Sequence, residues 1–165
     1  MPRGPAPDLP REGQQAFDSW LNWREQVKLE PLHMEQRVYS LHHGFAGQMD
    51  LYAAVDGKLT VLDWKSGKAI YDEAYLQSAA YWTAFREMGH GADDMQGCIV
   101  RLPKTAGDSF EVAVIPAPWV DRLFRVFLGI LESWKLSHIG VEKYAQNGCG
   151  DRLTAQAPSL TGQEG

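Results

Sequence analysis

The sequence predicts an α/β protein in which helices flank a mixed central β-sheet. Three observations lead to this prediction. Long segments carry apolar residues at three- and four-residue steps, short apolar segments bounded by turn residues lie between them, and an Asp-Gly pair joins two of the short segments. With 165 residues, the chain is most simply one domain and is large enough to bury a core of its own.

Three segments have the helical pattern. The first covers residues 12–28 and ends before Pro31, and the second covers residues 72–87 and ends at Gly89. The third covers residues 119–136 and follows a Pro-Ala-Pro opening. The first two are too apolar to stand free in water, so we expect them to pack against the sheet.

Five short segments are predicted as strands: residues 34–41, 45–55, 59–64, 95–102 and 110–115. Asp56-Gly57 lies between the second and third of them, and this dipeptide is typical of a type I′ turn. We therefore expect a tight hairpin there. The order of elements is helix, three strands, helix, two strands, helix, which is compatible with a mixed sheet covered by helices.

The two ends of the chain differ from the middle in composition. Residues 1–12 are rich in Pro and Arg, and residues 141–165 lose all periodicity. Both segments are therefore predicted to be flexible, because neither has apolar side chains spaced to pack on a core. The single predicted domain occupies residues 13–140.

The composition argues against several classes of protein. The net charge of −5 disfavours a strongly basic, nonspecific nucleic-acid binder but not a nuclease, because a metal site is itself rich in carboxylates. The apolar runs are too short to cross a bilayer and the N-terminus lacks a secretory signal. We therefore expect an intracellular, cytoplasmic protein without a membrane partner. Two cysteines are too few for an iron–sulfur cluster.

Two aspartates and a lysine form the strongest candidate site. Asp50 lies in the second predicted strand, and Asp63 and Lys65 lie at the end of the third. The hairpin brings Asp50 close to Asp63, and Lys65 shares the face of Asp63 because the two are two residues apart. Carboxylate oxygens suit Mg²⁺, and the backbone carbonyl of Trp64 offers a neutral ligand. A lysine beside the metal can orient water or stabilise charge on a phosphate, so these residues suit phosphodiester cleavage.

Five other residues are candidates for supporting roles. Gln77 and Tyr81 are spaced i and i+4 on the second predicted helix, so they share a face and could position the lysine or bind a phosphate. Glu35 on the first strand is a candidate for a further metal ligand, although an ion pair with a nearby basic residue explains it as well. Lys68 and His43 are candidates for contacts with nucleic-acid phosphates, and an exposed loop position is the alternative for both.

In chain order, these residues resemble a known family pattern. The pattern is G-x-x-D on one strand, (D/E)-x-K on the next and Q-x-x-x-Y on the following helix. The chain carries GQMD, DWK and QSAAY at the corresponding places, within residues 35–81. It is similar here to the PD-(D/E)xK nucleases, in the branch of the RecB-like and phage exonucleases, and to the mitochondrial genome maintenance exonuclease.

The resemblance implies a restriction-endonuclease-like core and a Mg²⁺- or Mn²⁺-dependent deoxyribonuclease, most simply an exonuclease of DNA replication, recombination or repair. Asp50 and Asp63 would be metal ligands, Lys65 the catalytic lysine, and Gln77 and Tyr81 its supporting motif. The substrate would be DNA, with single-stranded ends as a common form. The chain would be encoded by a bacterium or a phage and could work within a larger recombination or replication assembly.

Two points stay open at this level. Relatives carry a His or Glu on the first helix that has no clear counterpart here, so the identity of the additional acidic ligand is undecided. The alternative function is a noncatalytic nucleic-acid-binding or assembly module on a degenerate nuclease fold. Retention of both aspartates and the lysine argues against that alternative.

Overall fold

The computed structural model describes residues 9–105 and 107–148 of the chain. The helices are α1 Arg11–Gln26, α2 Asp72–Glu87, α3 Ala117–Ile139 and α4 Val141–Gly148. The strands are β1 Leu29–Ser40, β2 Phe45–Val55, β3 Lys58–Lys65, β4 Gln96–Arg101 and β5 Glu111–Ile115. The predicted order of helices and strands is confirmed, and α4 is added to it.

The strands form a five-stranded sheet at the centre of the fold. They lie in the order β1-β2-β3-β4-β5, and every neighbouring pair is antiparallel except β3 and β4, which run parallel. A parallel pair needs a crossover connection, and α2 supplies it because it lies between β3 and β4 in the chain. The predicted α/β architecture with a mixed sheet is confirmed.

The two faces of the sheet are buried in separate cores. On one face, α2 and α3 cover a cluster that includes Met49, Val61 and Phe85. On the other face, α1 covers a smaller cluster around Trp23 and Leu62. Because successive strand residues point to opposite faces, the neighbours Val61 and Leu62 belong to different cores. Burial of apolar surface on both faces is the main source of stability.

The hairpin between β2 and β3 has the tight turn that Asp56-Gly57 predicts. Asp56 and Gly57 both have positive φ, 50° and 83°, and the ladder closes with the pair Val55 and Lys58. Two consecutive positive φ values are characteristic of a type I′ turn. The Asp56 carboxylate also accepts a hydrogen bond of 2.8 Å from the amide of Lys28, so the turn is tied to the residue that precedes β1.

Strand β1 is longer than predicted. It begins at Leu29 and includes Pro31, whereas the sequence suggests a start at residue 34. β1 is an edge strand, and an edge strand tolerates proline because one of its sides needs no ladder hydrogen bonds. Helix α1 likewise begins at Arg11, just inside the segment that was predicted to be flexible.

Residues 141–148 form helix α4, which the sequence pattern does not predict. The helix is held by contacts that periodicity does not reveal. The Tyr144 hydroxyl donates a hydrogen bond to the Glu132 carboxylate, and the Tyr144 amide donates one to the Gly140 carbonyl. Residues 1–8 of the predicted lead-in and residues 149–165 of the predicted tail lie outside the described residues.

The chain divides into two compact units, one that ends at Leu128 and one that begins at Gly129. The division lies inside α3, whereas the sequence places the end of the domain at residue 140. All candidate site residues belong to the first unit. Within the described ranges, no helix combines the length and the apolar character that a membrane crossing requires.

The hairpin turn gives a test of the fold. Gly57 has φ 83°, and a Cβ atom added there would meet nothing within 4 Å, so Gly57→Ala should lower the free energy of unfolding by about 1–2 kcal/mol through backbone strain alone. Gly129→Ala is the matched control, because it also adds a Cβ to open space but lies inside α3. It should raise stability by about 0.5–1 kcal/mol. Urea denaturation measures both, and a neutral Gly57→Ala would contradict the left-handed turn.

Candidate functional site

The side chain of Asp50 ties β2 to β3 at the point where their backbone pairing stops. The antiparallel ladder ends at the pair Leu51 and Leu62. Beyond it, Asp50 Oδ2 accepts a hydrogen bond of 2.8 Å from the backbone amide of Trp64. The carboxylate takes the place of a backbone carbonyl as the partner of that amide. Asp50 is thereby fixed beside Asp63, as the hairpin predicts.

The side chains of β2 change faces at Asp50. Met49 packs in the core beneath α2, whereas Leu51 packs in the core beneath α1, although residues two apart in a regular strand share a face. On β1, Glu35 lies between the residues that pair with Leu51 and Met49, and it has a left-handed backbone with φ 50°. A non-glycine residue in that conformation is strained by about 1–2 kcal/mol. The sheet is therefore distorted locally where the candidate site lies.

Asp63 and Lys65 lie together on the face of β3 that α2 covers, as their two-residue spacing predicts. Asp63 is 4% exposed, and its Oδ2 atom lies 2.7 Å from Lys65 Nζ. This contact is an ion pair without the directed geometry of a hydrogen bond, so Oδ2 is buried with no hydrogen-bond partner. A buried carboxylate oxygen in that state is well suited to bind a cation.

Helix α2 holds Lys65 through two consecutive hydrogen bonds. Lys65 Nζ donates to Gln77 Oε1 over 2.7 Å, and Gln77 Nε2 donates to the Tyr81 hydroxyl over 2.9 Å. Gln77 and Tyr81 are one turn apart on α2, so both face β3. The ammonium group lies between Asp63 and Gln77. Because it carries three N–H groups and donates one of them to Gln77, at least one remains for water or substrate.

Gly47 leaves the space that Tyr81 occupies. A Cβ atom built on Gly47 would lie 2.4 Å from Tyr81 Cε1 and 3.0 Å from the Tyr81 hydroxyl oxygen, which is closer than packed atoms allow. The Tyr81 ring therefore lies directly on the β2 backbone. The G-x-x-D pattern contains Gly47, but only the packing of α2 on β2 explains why this position has no side chain.

The electrostatic environment of Asp63 disfavours its charge. Burial raises the pKa of the Asp63 carboxyl, the Lys65 ammonium opposes that rise, and the charge of Asp50 adds to it. The net direction is upward, because the loss of hydration outweighs the ion pair. A cation bound between Asp50 and Asp63 would offset both the burial and the repulsion between the two carboxylates.

The donors at this place suit a divalent cation that prefers oxygen. Asp63 offers Oδ2, and Asp50 offers Oδ1 because its Oδ2 holds the Trp64 amide. The N–H and C=O of one strand residue point to the same side, so the Trp64 carbonyl also faces the Asp50 side of β3. Two carboxylates, one carbonyl and water molecules match the ligands that Mg²⁺ or Mn²⁺ prefers.

Glu35 does not join this pair. Its side chain is exposed, and within residues 9–105 and 107–148 no three His, Cys, Asp or Glu side chains lie in position to share one metal ion. The prediction that Glu35 is a further ligand therefore has no support in the geometry. Water would fill the remaining coordination positions, which Mg²⁺ commonly allows.

The two candidates for nucleic-acid contacts lie in different surroundings. Lys68 is exposed in the segment between β3 and α2, close in the chain to Lys65. His43 packs its ring against Phe124, with ring centroids 5.1 Å apart, and its Nε2 lies 3.7 Å from a Glu87 carboxylate oxygen. Lys68 can meet a phosphate near Lys65, whereas the contacts of His43 are those of a packed residue.

A cavity opens beside Lys65 at the start of α2. Its volume is about 360 Å³, and its lining includes Lys65, Gln77, Gly67, Tyr71 and Glu73. Neither the D-x-K nor the Q-x-x-x-Y spacing includes Tyr71 or Glu73. Sequence patterns therefore do not single out these two residues, and only the packing of α2 against β3 reveals them.

Comparisons with known proteins extend this description. The family model described as "PD-(D/E)XK nuclease superfamily" matches residues 7–151, a range that contains the whole candidate site. Among solved structures, the chain is similar to one titled "Crystal structure of SSO0001", with 15% sequence identity, 84% of this chain and 67% of that chain covered, and a TM-score of 0.34. No curated protein matches the chain.

The contact between Gly47 and Tyr81 can be tested by a double-mutant cycle. Gly47→Ala should lower the free energy of unfolding by about 1–3 kcal/mol, because the new Cβ overlaps the Tyr81 ring. In a Tyr81→Ala background the same change should cost clearly less, with a coupling of about 0.5–3 kcal/mol. Gly67→Ala is the control, because its Cβ would make only an ordinary contact of 3.5 Å. Equal costs of Gly47→Ala in both backgrounds would disprove the contact.

The raised pKa of Asp63 gives a prediction about pH. The pKa of the Asp63 carboxyl is higher in the folded than in the unfolded protein. The stability that neutral Asp63 contributes is therefore fully present below the unfolded-state pKa. It is lost as the pH rises through the folded-state pKa and the buried carboxyl becomes charged. Asn is neutral at every pH, so Asp63→Asn should have a higher Tm than the native protein at pH 7 when both are treated with chelator. The difference should shrink as the pH falls toward about 4, because native Asp63 then also becomes neutral.

Thermal unfolding across this pH range measures the effect, with Asp121→Asn on the exposed surface of α3 as the control. The control should leave Tm nearly unchanged at every pH. A lower Tm for Asp63→Asn at pH 7 would show that the ion pair with Lys65 outweighs the burial of Asp63.

Proposed function

The chain belongs to the PD-(D/E)XK nuclease superfamily, and on that premise we propose that it is a metal-dependent exonuclease that hydrolyses phosphodiester bonds in DNA. One observation carries the proposal. Asp50, Asp63 and Lys65 meet at the open end of the β2–β3 hairpin, and the lysine is held there by Gln77.

Asp50 and Asp63 are the proposed metal ligands, with the carbonyl of Trp64 as a third. A bound Mg²⁺ or Mn²⁺ would supply Lewis acidity toward the phosphate and lower the pKa of a water molecule. The positions of the two carboxylates are set by contacts within the protein. Asp50 is held by the Trp64 amide, and Asp63 is buried on β3, so neither carboxylate has to reorganise when the cation arrives.

Lys65 is the proposed catalytic lysine. Its Nζ is positioned by Gln77 Oε1 and by the Asp63 carboxylate, and a remaining N–H can be donated to a phosphoryl oxygen or to the attacking water. In the first case the ammonium stabilises the negative charge that grows on the phosphate, and in the second it orients the water. Gln77 and Tyr81 are positioning residues, because they act on the substrate through Lys65.

We infer DNA with single-stranded ends as the substrate, and Lys68 as a contact to a phosphate next to the cleaved one, because it is exposed close to Lys65. The activity would belong to replication, recombination or repair in the cytoplasm of a bacterium, encoded by the cell or by a phage. A larger recombination or replication assembly is the proposed setting.

The alternative is a noncatalytic module that binds nucleic acid on a nuclease-like fold. Such a module would gain nothing from a lysine that two helix residues hold against a buried carboxylate, so the hydrogen bonds from Lys65 to Gln77 and on to Tyr81 favour the enzyme. The alternative predicts DNA binding without cleavage under any metal.

The test is incubation with end-labelled linear single-stranded and double-stranded DNA in Mg²⁺, in Mn²⁺ and in chelator. We expect cleavage only with metal, and little cleavage of circular DNA because a circle offers no end. Lys65→Ala should lower kcat by about 100-fold or more, since it removes a charge aimed at the transition state. Asp50→Asn and Asp63→Asn should abolish the rise in Tm that Mg²⁺ gives the native protein.

Matched controls come from the same elements. Lys58→Ala removes an exposed lysine from the other end of β3 and should leave kcat unchanged, and Asp121→Asn should keep the Mg²⁺-dependent rise in Tm. Cleavage that persists in Lys65→Ala, or a native protein that cleaves no DNA with either metal, would refute the proposal.

A further inference from the structure

The cavity at the start of α2 adjoins the proposed cleavage site but has no role in the chemistry described above. Its volume of about 360 Å³ falls within the range of small-molecule sites, roughly 300–1,000 Å³. It shares Lys65 and Gln77 with the site, so an occupant would lie next to the phosphate that Lys65 contacts. Gly67 lies beside the Tyr71 ring, since a Cβ added at Gly67 would make an ordinary contact of 3.8 Å with Tyr71 Cε2.

Tyr71 is an unusual residue for the position it holds. It is the N-cap of α2, yet its side chain makes no capping hydrogen bond, and it is 58% exposed. Ser, Thr, Asp and Asn are strongly preferred at an N-cap, because their side chains accept a hydrogen bond from a free amide of the first turn. A large, exposed aromatic ring at this position stabilises neither the helix end nor the core. Contact with a ligand would give the ring a role.

The charges around the cavity decide which part of a nucleic acid could enter it. Glu73 lines the cavity, and Asp72 lies next to it in the first turn of α2. Two carboxylates at a helix start repel a phosphate, even though a helix N-terminus by itself attracts anions. An uncharged nucleobase meets no such repulsion, and its flat ring can stack on an exposed tyrosine.

We propose that this cavity binds one unpaired nucleobase, stacked on Tyr71, from the nucleotide beside the phosphate at Lys65. The identity of the strand as DNA rests on the proposed function. A base inside a duplex is paired and stacked on its neighbours, so it reaches the cavity only from a single strand or a frayed end. Tyr71 therefore favours single-stranded over double-stranded substrates, because only an unpaired base can stack on its ring.

The first experiment measures stacking without cleavage. Single-stranded oligothymidylates that carry one 2-aminopurine at successive positions are titrated with the protein in chelator, and stacking quenches the fluorescence of that base. We expect strong quenching at one position for the native protein and for Tyr71→Phe, and its loss in Tyr71→Ser. Serine is a good N-cap residue, so Tyr71→Ser should keep or raise the Tm, and loss of quenching then reflects the missing ring.

The second experiment uses steady-state cleavage of single-stranded DNA with Mg²⁺. Tyr71→Ser should raise KM by about 5- to 150-fold, which corresponds to a stacking contribution of about 1–3 kcal/mol, while kcat changes little. Tyr71→Phe should behave like the native protein. Trp119→Ala is the control for loss of an exposed aromatic, since Trp119 follows β5 at the end of the sheet opposite Lys65.

The two proposals fail in different ways. If the native protein quenches one 2-aminopurine through Tyr71 but cleaves no DNA, the base site stands and the nuclease proposal falls. If the native protein cleaves DNA while Tyr71→Ser keeps native quenching and native KM, the base site is wrong and the nuclease proposal stands. Equal quenching at every position would also overturn the base site, because it would indicate nonspecific contact with the strand.

Discussion

The hydrogen bond from the Trp64 amide to the Asp50 carboxylate is the contact on which the candidate site depends. It lies just beyond the last backbone pair of β2 and β3, where an amide without a partner would otherwise be left at the end of the ladder. The ring of Trp64 is held from the opposite face by Trp23, edge to face with centroids 5.1 Å apart. Because the Trp64 backbone is held by Asp50 and its ring by Trp23, the end of β3 that carries Asp63 has a defined position next to Asp50.

Helix α2 provides the second support, and it does so at a cost in stability. Its contact with β2 requires Gly47, because the Tyr81 ring lies against the backbone there. Through Gln77 the same helix orients Lys65 toward a buried carboxylate whose pKa is raised by burial. Charge buried for function is unfavourable for folding, and the two apolar cores on the faces of the sheet offset it. The strained backbone of Glu35 on β1 and the N-cap Tyr71, whose side chain makes no capping hydrogen bond, are further local conflicts of the kind that occur near functional sites.

Much of the fold follows from local signals in the sequence. The apolar run of β3 and the three- and four-residue steps of α2 depend on neighbouring residues, and Asp56-Gly57 specifies its turn by two adjacent positions. The errors occur where distant context intervenes. Pro31 lies inside β1 because β1 is an edge strand, and α4 forms in a segment without periodicity, where Tyr144 bonds to Glu132. A proline and a polar tail are ambiguous until the neighbouring elements are known.

The sequence by itself determined the order of elements, the hairpin, and the residues that carry the family pattern, because spacing along a strand or helix sets which side chains share a face. Tertiary structure alone decided how those faces meet. The side chains of β2 change faces at Asp50, and the Tyr81 ring packs on Gly47. Glu35 does not form a metal-binding group with the two aspartates. Tertiary structure also brought Tyr71 and Glu73 around a cavity beside Lys65. These relations join residues far apart in the chain, and their contacts follow from the packing of α2 on the sheet, which no local pattern encodes.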